Sequence, residues 1–204
     1  MTAPLLALET SAEQPTVAIE TSDGISHRSF EGGRGKHLIP EIDALLKECA
    51  IDKNELGGIV VGTGPGSYTG LRIACAAARS LEWALKIPAR GFCSFEAMAL
   101  DGKLGQDTHI LINAFRGELY HACYRREQDQ LEVVTAPRVI AKDDGGIAVP
   151  AGANLIGDPN LLPHPVNCLQ EQCIPLAQHL LLLAKLRGFN RGTEPAPLYL
   201  RVAR

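Results

Sequence analysis

The segment Gly62-Thr-Gly-Pro-Gly-Ser-Tyr-Thr-Gly-Leu-Arg72 decides the fold, because it joins an apolar strand to an alanine-rich helix through a glycine-rich turn. Turns of this kind often bind phosphate through their backbone amides. This one lacks the Lys that follows the last glycine of a Walker loop, since Gly70 is followed by Leu71 and Arg72. Ser67 stands where a dinucleotide-binding loop has its third glycine. The segment therefore predicts a tight strand-to-helix turn that matches no standard phosphate loop.

The helix that follows, expected over residues 69–86, is apolar or small around most of its circumference. Arg72, Arg79 and Lys86 recur every seven residues, which places them on one narrow stripe. One apolar side is formed by Leu71, Cys75, Ala78, Leu81 and Leu85. A second side, where small residues let another backbone approach closely, is formed by Ile73, Ala76, Ala77, Ser80 and Ala84. Such a helix is either enclosed within its own domain or shared with a partner.

A second helix with a wide apolar surface is predicted over residues 37–49. Pro40 fits only the first turn of a helix, so this one is expected to begin near His37. Its apolar stripe comprises Leu38, Ile42, Leu45 and Cys49, and Ile39 and Leu46 widen it. Two such helices in one short chain predict a helix-on-helix interface with another protein, for which about 800 Å² per partner is a standard area.

The predicted interface combines residues of both helices. Its members are His37, Leu38, Ile42, Leu45, Leu71, Arg72, Ile73, Ala76, Ala77, Ser80 and Ala84.

The order of the predicted elements indicates an α/β fold with mixed sheets. Short strands at 5–9, 16–20 and 26–30 read as an antiparallel meander, followed by a helix, a buried strand at 58–61 and a second helix. A second block begins near His109 with strands at 110–113, 119–125 and 131–140. Mostly loop is expected from 143 to 165, with one strand near 153–156, and a leucine-rich helix over 175–187. We therefore expect two subdomains, 1–105 and 106–204.

The overall charge does not predict a broad nucleic-acid-binding face. The chain has 204 residues, 46% of them hydrophobic, and a net charge of −3. From Lys185 onward, however, cations exceed acids: the segment has Lys185, Arg187, Arg191, Arg201 and Arg204 against Glu194. Such a tail is either simply solvated or in contact with RNA phosphates, and the sequence leaves both interpretations open.

The cysteines and the hydropathy pattern predict a soluble protein of a reducing cytoplasm. The six cysteines contain no Cys-x-x-Cys pair and no zinc-type spacing with histidine. No signal peptide precedes the first strand, and no apolar run approaches the roughly 20 residues that span a bilayer. We expect no membrane partner.

Few residues are arranged for catalysis. The six histidines never occur four positions apart, as a helical zinc site of the zincin type requires. Glu9 and Glu118 are the best candidates for paired carboxylates, and whether they converge is open. The Glu9-Thr10-Ser11 turn either contacts an anion or is satisfied by its own side chains.

Five segments together resemble the TsaB (YeaZ) family. They are Leu6–Ser11, His37–Asp43, Gly62–Ile73, Asn113–Tyr120 and Pro197–Arg201. The resemblance runs from the first strand to the last few residues, and its Gly-Pro-Gly-Ser-Tyr-Thr-Gly-Leu-Arg part is highly specific. It implies an actin-like, ribonuclease-H-like fold of two subdomains. It also implies a place in the bacterial assembly that makes threonylcarbamoyladenosine on tRNAs reading codons that begin with A.

The resemblance implies a supporting role in that assembly. In this family TsaB is the partner of a catalytic paralogue, TsaD, which carries the metal and transfers the threonylcarbamoyl group to the tRNA adenosine; the ATPase TsaE joins the pair. The helices at 37–49 and 69–86 are expected to pack against equivalent helices of TsaD. The chain itself is expected to hold no cofactor, with ATP or ADP and metal on the partner subunits and tRNA reached through the complex.

The chain departs from the family pattern at two turns. Glu9 stands where the family usually has Asp, and Asn113 and Phe115 stand where it often has Asp and Arg. The metal-binding histidine pair of TsaD has no counterpart, which favours a non-catalytic role.

Three alternatives stay open. One is an ATP-dependent kinase of the actin-like superfamily that uses residues 9–11 and 62–70 as phosphate loops, although the chain is short and the Lys is missing. A metal-dependent peptidase is another. Self-association is compatible with the main prediction, because the same helices offer a homodimer interface when the partner is absent.

Overall fold

The chain divides into two compact units that are not contiguous in sequence. The computed structural model describes residues 3–12, 14–31, 36–170 and 177–200. One unit comprises Met1–Ala97 with Pro175–Leu198, and the other comprises Met98–Ile174 with Tyr199–Arg204. The predicted division into 1–105 and 106–204 is therefore wrong, since the chain returns to the first unit near its end.

The first unit is built on a mixed five-stranded sheet. Its strands are β1 (Leu5–Glu9), β2 (Thr16–Thr21), β3 (Gly24–Ser29), β4 (Gly58–Gly62) and β5 (Ala89–Phe92). Their order is β3-β2-β1-β4-β5, in which β1 pairs antiparallel with β2 and parallel with β4. The predicted meander, followed by a buried fourth strand, is confirmed.

Five α-helices are present in the described part of the chain. They are α1 (Leu38–Glu48), α2 (Tyr68–Leu85), α3 (Ser94–Met98), α4 (Gly145–Ala148) and α5 (Ala177–Arg187). The predicted helices at 37–49 and 69–86 agree with α1 and α2 to within a residue at each end. None of the described helices is long and apolar enough to cross a membrane.

Helices α1 and α2 cover one face of the first sheet. Leu6 and Leu8 of β1 and Val61 of β4 form one hydrophobic cluster with Leu45 of α1 and Ala78 of α2. Side chains alternate along a strand, so every second residue of β1 and β4 belongs to this cluster. The apolar stripe of each helix is thereby enclosed within the unit.

Helix α5 covers the opposite face, which explains why the predicted boundary is wrong. It contacts β1, β2 and β4, and the amide of Ala177 donates to Thr16 Oγ1 of β2 at 2.9 Å. Its buried residues are Ala177, Leu180, Leu181, Leu183 and Ala184. Ala7 and Val60 are fully buried and belong to the face that α1 and α2 leave open. A leucine-rich helix late in the sequence therefore completes a core that begins at residue 5.

The second unit repeats the strand order of the first. Its strands are β6 (Asp107–Phe115), β7 (Glu118–Arg126), β8 (Leu131–Ala141), β9 (Asn154–Gly157) and β10 (Asn167–Gln170). Their order is β10-β9-β6-β7-β8. In both sheets the first strand of the unit is central, flanked by the second on one side and the fourth on the other. The predicted α/β, actin-like architecture of mixed sheets with flanking helices is confirmed.

Several elements were not predicted. Helix α3, strand β10 and the single-turn α4 are too short for a clear hydrophobic period. The first two predicted residues of the last helix, 175 and 176, lie outside the described residues.

Replacing the buried Leu45 of α1 by Ala should lower the free energy of unfolding by about 2 to 5 kcal/mol, because the change leaves a cavity between helix and sheet. Ile39→Ala on the same helix is the matched control, since Ile39 is 52% exposed and its truncation should cost less than about 0.5 kcal/mol. Urea denaturation followed by circular dichroism measures both. Equal losses would contradict the assignment of the buried face.

Candidate partner interface

Helix α2 is positioned by the glycine-rich turn that precedes it. Ser67 is its N-cap, and the Ser67 hydroxyl accepts from the Gly70 amide at 3.3 Å. The helix ends at Lys86, whose left-handed backbone (φ 58°) stops it. Its buried side is formed by Gly70, Leu71, Ala74, Cys75 and Ala78. The other side of α2 is left at the surface of the unit.

Four of the predicted interface residues are wrong, because their side chains form the core of the first unit. They are Leu38, Ile42, Leu45 and Leu71, each 5% exposed or less. The first three lie in the cluster between α1 and the sheet, and Leu71 faces inward from the start of α2. These side chains cannot reach a partner unless the unit opens.

The other predicted interface residues lie at or near the surface. The exposed ones are His37, Arg72, Ala76, Ser80 and Ala84, whereas Ile73 and Ala77 are half-buried beside the core. His37 is also the residue that precedes the first turn of α1, as predicted. Their role in binding stays a prediction, and all of them except His37 lie on α2.

The interface predicted from the sequence leaves out the largest exposed side chains of this surface. Trp83 is 85% exposed, Tyr68 is 54% exposed, and Ile39 of α1 is 52% exposed. Trp83 follows Ala76 by seven residues and Ser80 by three, so it lies on the same side of α2. That spacing was visible in the sequence and could have placed Trp83 in the interface. We call Arg72, Ala76, Ser80, Trp83 and Ala84 the outer face of α2.

The charged side chains of α1 are paired within the unit. Arg28 of β3 binds Glu41 at 2.6 Å and also contacts Glu48. Lys47 binds Asp43 at 2.6 Å, one turn earlier on the helix. These pairs are partly or largely exposed, so each contributes little to stability. They nevertheless leave α1 nearly neutral toward solvent.

The cations of α2 are not paired in this way. Among the described residues no carboxylate lies within 4.0 Å of Arg72, Arg79 or Lys86. The carboxylate of Glu82 accepts from the Ala89 amide at 3.0 Å instead. The solvent-facing side of α2 is therefore positively charged, although the chain as a whole is negative.

Several amides of the glycine-rich turn already donate to groups of the chain itself. The Gly64 amide donates to Ser94 Oγ at 3.1 Å, and the Ser67 amide donates to the Ser11 carbonyl at 2.8 Å. The Gly70 amide is held by the N-cap. A phosphate loop needs these N–H groups directed at an empty space. Here the groups point into the protein itself.

Glu9 occupies the centre of the turn. Its Oε1 accepts from the Ser11 amide at 2.7 Å and its Oε2 accepts from Ser94 Oγ at 2.6 Å. A Cβ added at Gly62 would lie 2.0 Å from Glu9 Oε2, and one at Gly70 would lie 1.8 Å from the Thr10 carbonyl oxygen. Glycine is required at both positions because β1 and the turn touch. The interpretation of 9–11 as a turn satisfied by the chain's own groups fits this geometry, apart from Ser11 Oγ, which is buried without a hydrogen bond.

Burial raises the pKa of the Glu9 carboxyl, and the hydrogen bonds from Ser94 and Ser11 oppose this only in part. A fully buried carboxylate without a cation is costly, so burial shifts the Glu9 carboxyl toward its protonated form. Glu118, the other candidate acid, belongs to the second unit.

The histidines include a pair that sequence spacing could not reveal. His109 of β6 and His121 of β7 stack, with Nδ1 of the first 3.0 Å from Nε2 of the second. Arg138 Nε donates to His121 Nδ1 at 3.4 Å, so the proton of neutral His121 is on Nε2. Burial, then the charges of His109 and Arg138, lower the pKa of His121 to about 4. Among the described residues no group of three His, Cys, Asp or Glu side chains could hold a metal ion.

Part of the basic C-terminal segment is neutralised within the first unit. Arg187 binds Glu96 at 2.8 Å, and Lys185 lies 3.5 Å from Glu20. Arg191 is exposed. Arg201 and Arg204 lie outside the described residues. The two pairs reduce the charge that this segment offers to RNA phosphates.

Known proteins resemble the chain over most of its length. A model of the family described as TsaD, tRNA N6-adenosine threonylcarbamoyltransferase, matches residues 18–155. The tRNA threonylcarbamoyladenosine biosynthesis protein TsaB of Bacillus subtilis is 31% identical over 134 residues, which are 64% of this chain and 58% of that protein. TsaB of Escherichia coli is 28% identical over 219 residues, covering 97% of this chain and 94% of that protein.

Other matches cover a smaller part of the relative's length or are matches to solved structures. An uncharacterized protein of Mycobacterium leprae is 33% identical over 128 residues, and the match covers 35% of its length. A crystal structure from Pseudomonas aeruginosa, described as an uncharacterized protein with similarity to peptidase YEAZ, is 26% identical with a TM-score of 0.83. That alignment covers 98% of this chain and all of the other. A second structure, YeaZ from Pseudomonas aeruginosa, has a TM-score of 0.82 at 24% identity and shows the shared fold.

The raised pKa of Glu9 predicts a pH dependence of stability. The folded state holds this proton more tightly than the unfolded state, so the stabilisation is complete below the ordinary value of 4.5 and is lost as pH rises through the folded value. The difference in unfolding free energy between wild type and Glu9→Gln should therefore fall as pH rises from 4.5 to 8. Urea denaturation at a series of pH values measures it. Asp129→Asn, at an exposed turn, is the control, and a difference that is constant with pH for Glu9→Gln would contradict the assignment.

Proposed function

We propose that the chain, which belongs to the TsaD family and to its TsaB (YeaZ) members, is a non-catalytic subunit of the cytoplasmic assembly that makes threonylcarbamoyladenosine on tRNA. Its task is to bind the catalytic paralogue TsaD and hold it in an active conformation. The TsaE ATPase joins this pair, and tRNA is reached through the complex. ATP or ADP and metal belong to the partner subunits. The relation to TsaB over nearly the whole chain carries the proposal.

The glycine-rich turn supports a non-catalytic role. Its amides at Gly64, Ser67 and Gly70 donate to groups of the chain, and the buried Glu9 occupies its centre. A phosphate placed there would displace these hydrogen bonds and meet a carboxyl group. The same geometry disfavours the kinase alternative, because the two segments that would serve as its phosphate loops, 9–11 and 62–70, pack against each other.

The outer face of α2 supports a docking role. A Trp that is 85% exposed is unusual on a protein that works alone, and here it lies beside three small residues, Ala76, Ser80 and Ala84. Aromatic anchors next to small residues allow a partner helix to approach closely and to bury a large side chain. TsaD, as a paralogue, would offer an equivalent helix.

Ala84→Glu should abolish co-purification with TsaD from the same genome while leaving the fold intact, because Ala84 is exposed and a Glu there meets only the partner. Ala76→Glu should act in the same way. Co-expression with tagged TsaD, followed by mass determination of the complex, measures the outcome.

The matched control for these variants is Ala136→Glu on β8, an exposed alanine in the second unit. It adds the same charge to the chain and should leave the complex unchanged. If both α2 variants still co-purify with TsaD in full yield, α2 is not the interface and the docking proposal is wrong.

The isolated chain should bind neither ATP nor ADP with magnesium, because the turn that would hold the phosphates is filled. Calorimetric titration of the chain alone measures this, and titration of the complex with TsaD is the positive control. A micromolar dissociation constant for the isolated chain would support the kinase alternative instead.

A further inference from the structure

The solvent side of α2 and of its C-cap carries positive charge that the described part of the chain does not neutralise. Arg72, Arg79 and Lys86 lie on its solvent side, and among the described residues none has a carboxylate within 4.0 Å. The one acid of α2, Glu82, is engaged with the Ala89 amide. On α1, by contrast, each acid lies in an ion pair with Arg28 or Lys47. The excess charge is thus specific to one helix.

Arg72 is held in place although it lacks an acidic partner. Its guanidinium lies 5.3 Å from the centre of the Tyr68 ring, and its NH1 donates to the Tyr68 hydroxyl at 3.2 Å. Both side chains are exposed and one helical turn apart. A guanidinium stacked on a ring keeps its fork of donors pointing outward, and less side-chain entropy is lost when it binds a carboxylate. Arg72 is therefore pre-organised for an anion that the described part of the chain does not supply.

Trp83 marks the other end of the same surface. Arg72 and Trp83 are eleven residues apart, which is about three helical turns and about 16 Å along the axis. Ala76, Arg79 and Ser80 lie between them on the same side of the helix, and all three are exposed. A partner helix that crosses this side of α2 would meet Arg72, then Arg79, and then the exposed indole of Trp83.

We propose that the outer face of α2 recognises an acidic amphipathic helix, with Arg72, held by Tyr68, binding a carboxylate of that helix and Trp83 packing against its apolar side chains about 16 Å away. This inference rests on the proposed function, in which the helix belongs to the catalytic paralogue. Arg72 sets the charge that the partner carries, and Trp83 supplies most of the buried apolar area.

A protein helix fits this surface better than RNA. Ala76, Ser80 and Ala84 of this face are small and exposed, which suits close helix packing. The chain is negative overall, and two cations of the basic C-terminal segment, Lys185 and Arg187, are paired with acids. RNA binding by exposed aromatic side chains uses a basic groove beside them, whereas Arg72, Arg79 and Lys86 form a single stripe along one helix.

The test is the affinity of the full chain for purified TsaD from the same genome, measured by biolayer interferometry at low and at physiological salt. Arg72→Glu should weaken binding by about tenfold or more, and Arg72→Gln by less, since reversal adds repulsion to the lost pair. Tyr68→Phe keeps the ring and removes the hydroxyl, so it should weaken binding only a few-fold. Trp83→Ala should weaken binding by about tenfold or more at both salt concentrations, since it removes apolar contact.

Arg191→Glu is the matched control, because Arg191 is exposed in the first unit, lies outside α2 and makes the same change in net charge. It should bind like wild type. Affinities of Arg72→Glu within twofold of wild type, or an equal loss for Arg191→Glu, would overturn the inference. If Ala84→Glu abolishes binding while Arg72→Glu does not, this inference fails and the proposed function stands; if none of the α2 variants matters, the docking proposal itself fails.

A gel-shift titration of the isolated chain with a tRNA transcript separates protein from RNA recognition. Wild type and Arg72→Glu should behave alike in it. A shift by wild type that Arg72→Glu abolishes would overturn the inference in favour of RNA. Circular dichroism of each variant confirms that it is folded, as exposed positions on a long helix should allow.

Discussion

The contact between the end of β1 and the glycine-rich turn is the constraint on which the rest of the first unit depends. Glu9 accepts hydrogen bonds from the Ser11 amide and from Ser94, and glycine at 62 and 70 allows the two segments to approach this closely. The contact fixes where α2 begins and therefore which of its sides is buried. The glycine-rich turn thus holds β1, β4 and α2 together, and the outer side of the next helix faces away from this contact.

The two helices that looked alike in sequence have different roles in the structure. The apolar stripe of α1 packs against the sheet beneath it. The acids of α1 lie in ion pairs with Arg28 and Lys47. Helix α2 buries one side in the same core and exposes a second side that is both cationic and aromatic. Unpaired positive charge on one surface helix favours association with a surface of complementary charge.

Local patterns predicted most of the elements, and long-range packing was the source of the errors. The periods of α1 and α2 and the apolar run of β4 were readable because each is a local signal. The sequence could show that Leu38 and Leu45 share an apolar face, but it could not show that the chain's own sheet covers that face. It also could not show that α5 joins the first sheet, or that His109 and His121, twelve residues apart, meet across two strands. The repeated strand order of the two sheets was not recognisable as a repeat in the sequence. Trp83, by contrast, could have been predicted, because its spacing from Ala76 and Ser80 places it on the same side of α2.

The return of the chain to the first sheet has a consequence for biosynthesis. Helix α5, which closes one face of that sheet, begins only at Ala177, whereas β4 already ends at Gly62. A ribosome delivers residues in order, so β1, β2 and β4 emerge long before the helix that shields them. One side of the first sheet therefore stays exposed to water until α5 has been made, and every strand of the second sheet is made before α5. The nascent chain is expected to need protection from aggregation on that side until α5 has emerged from the ribosome.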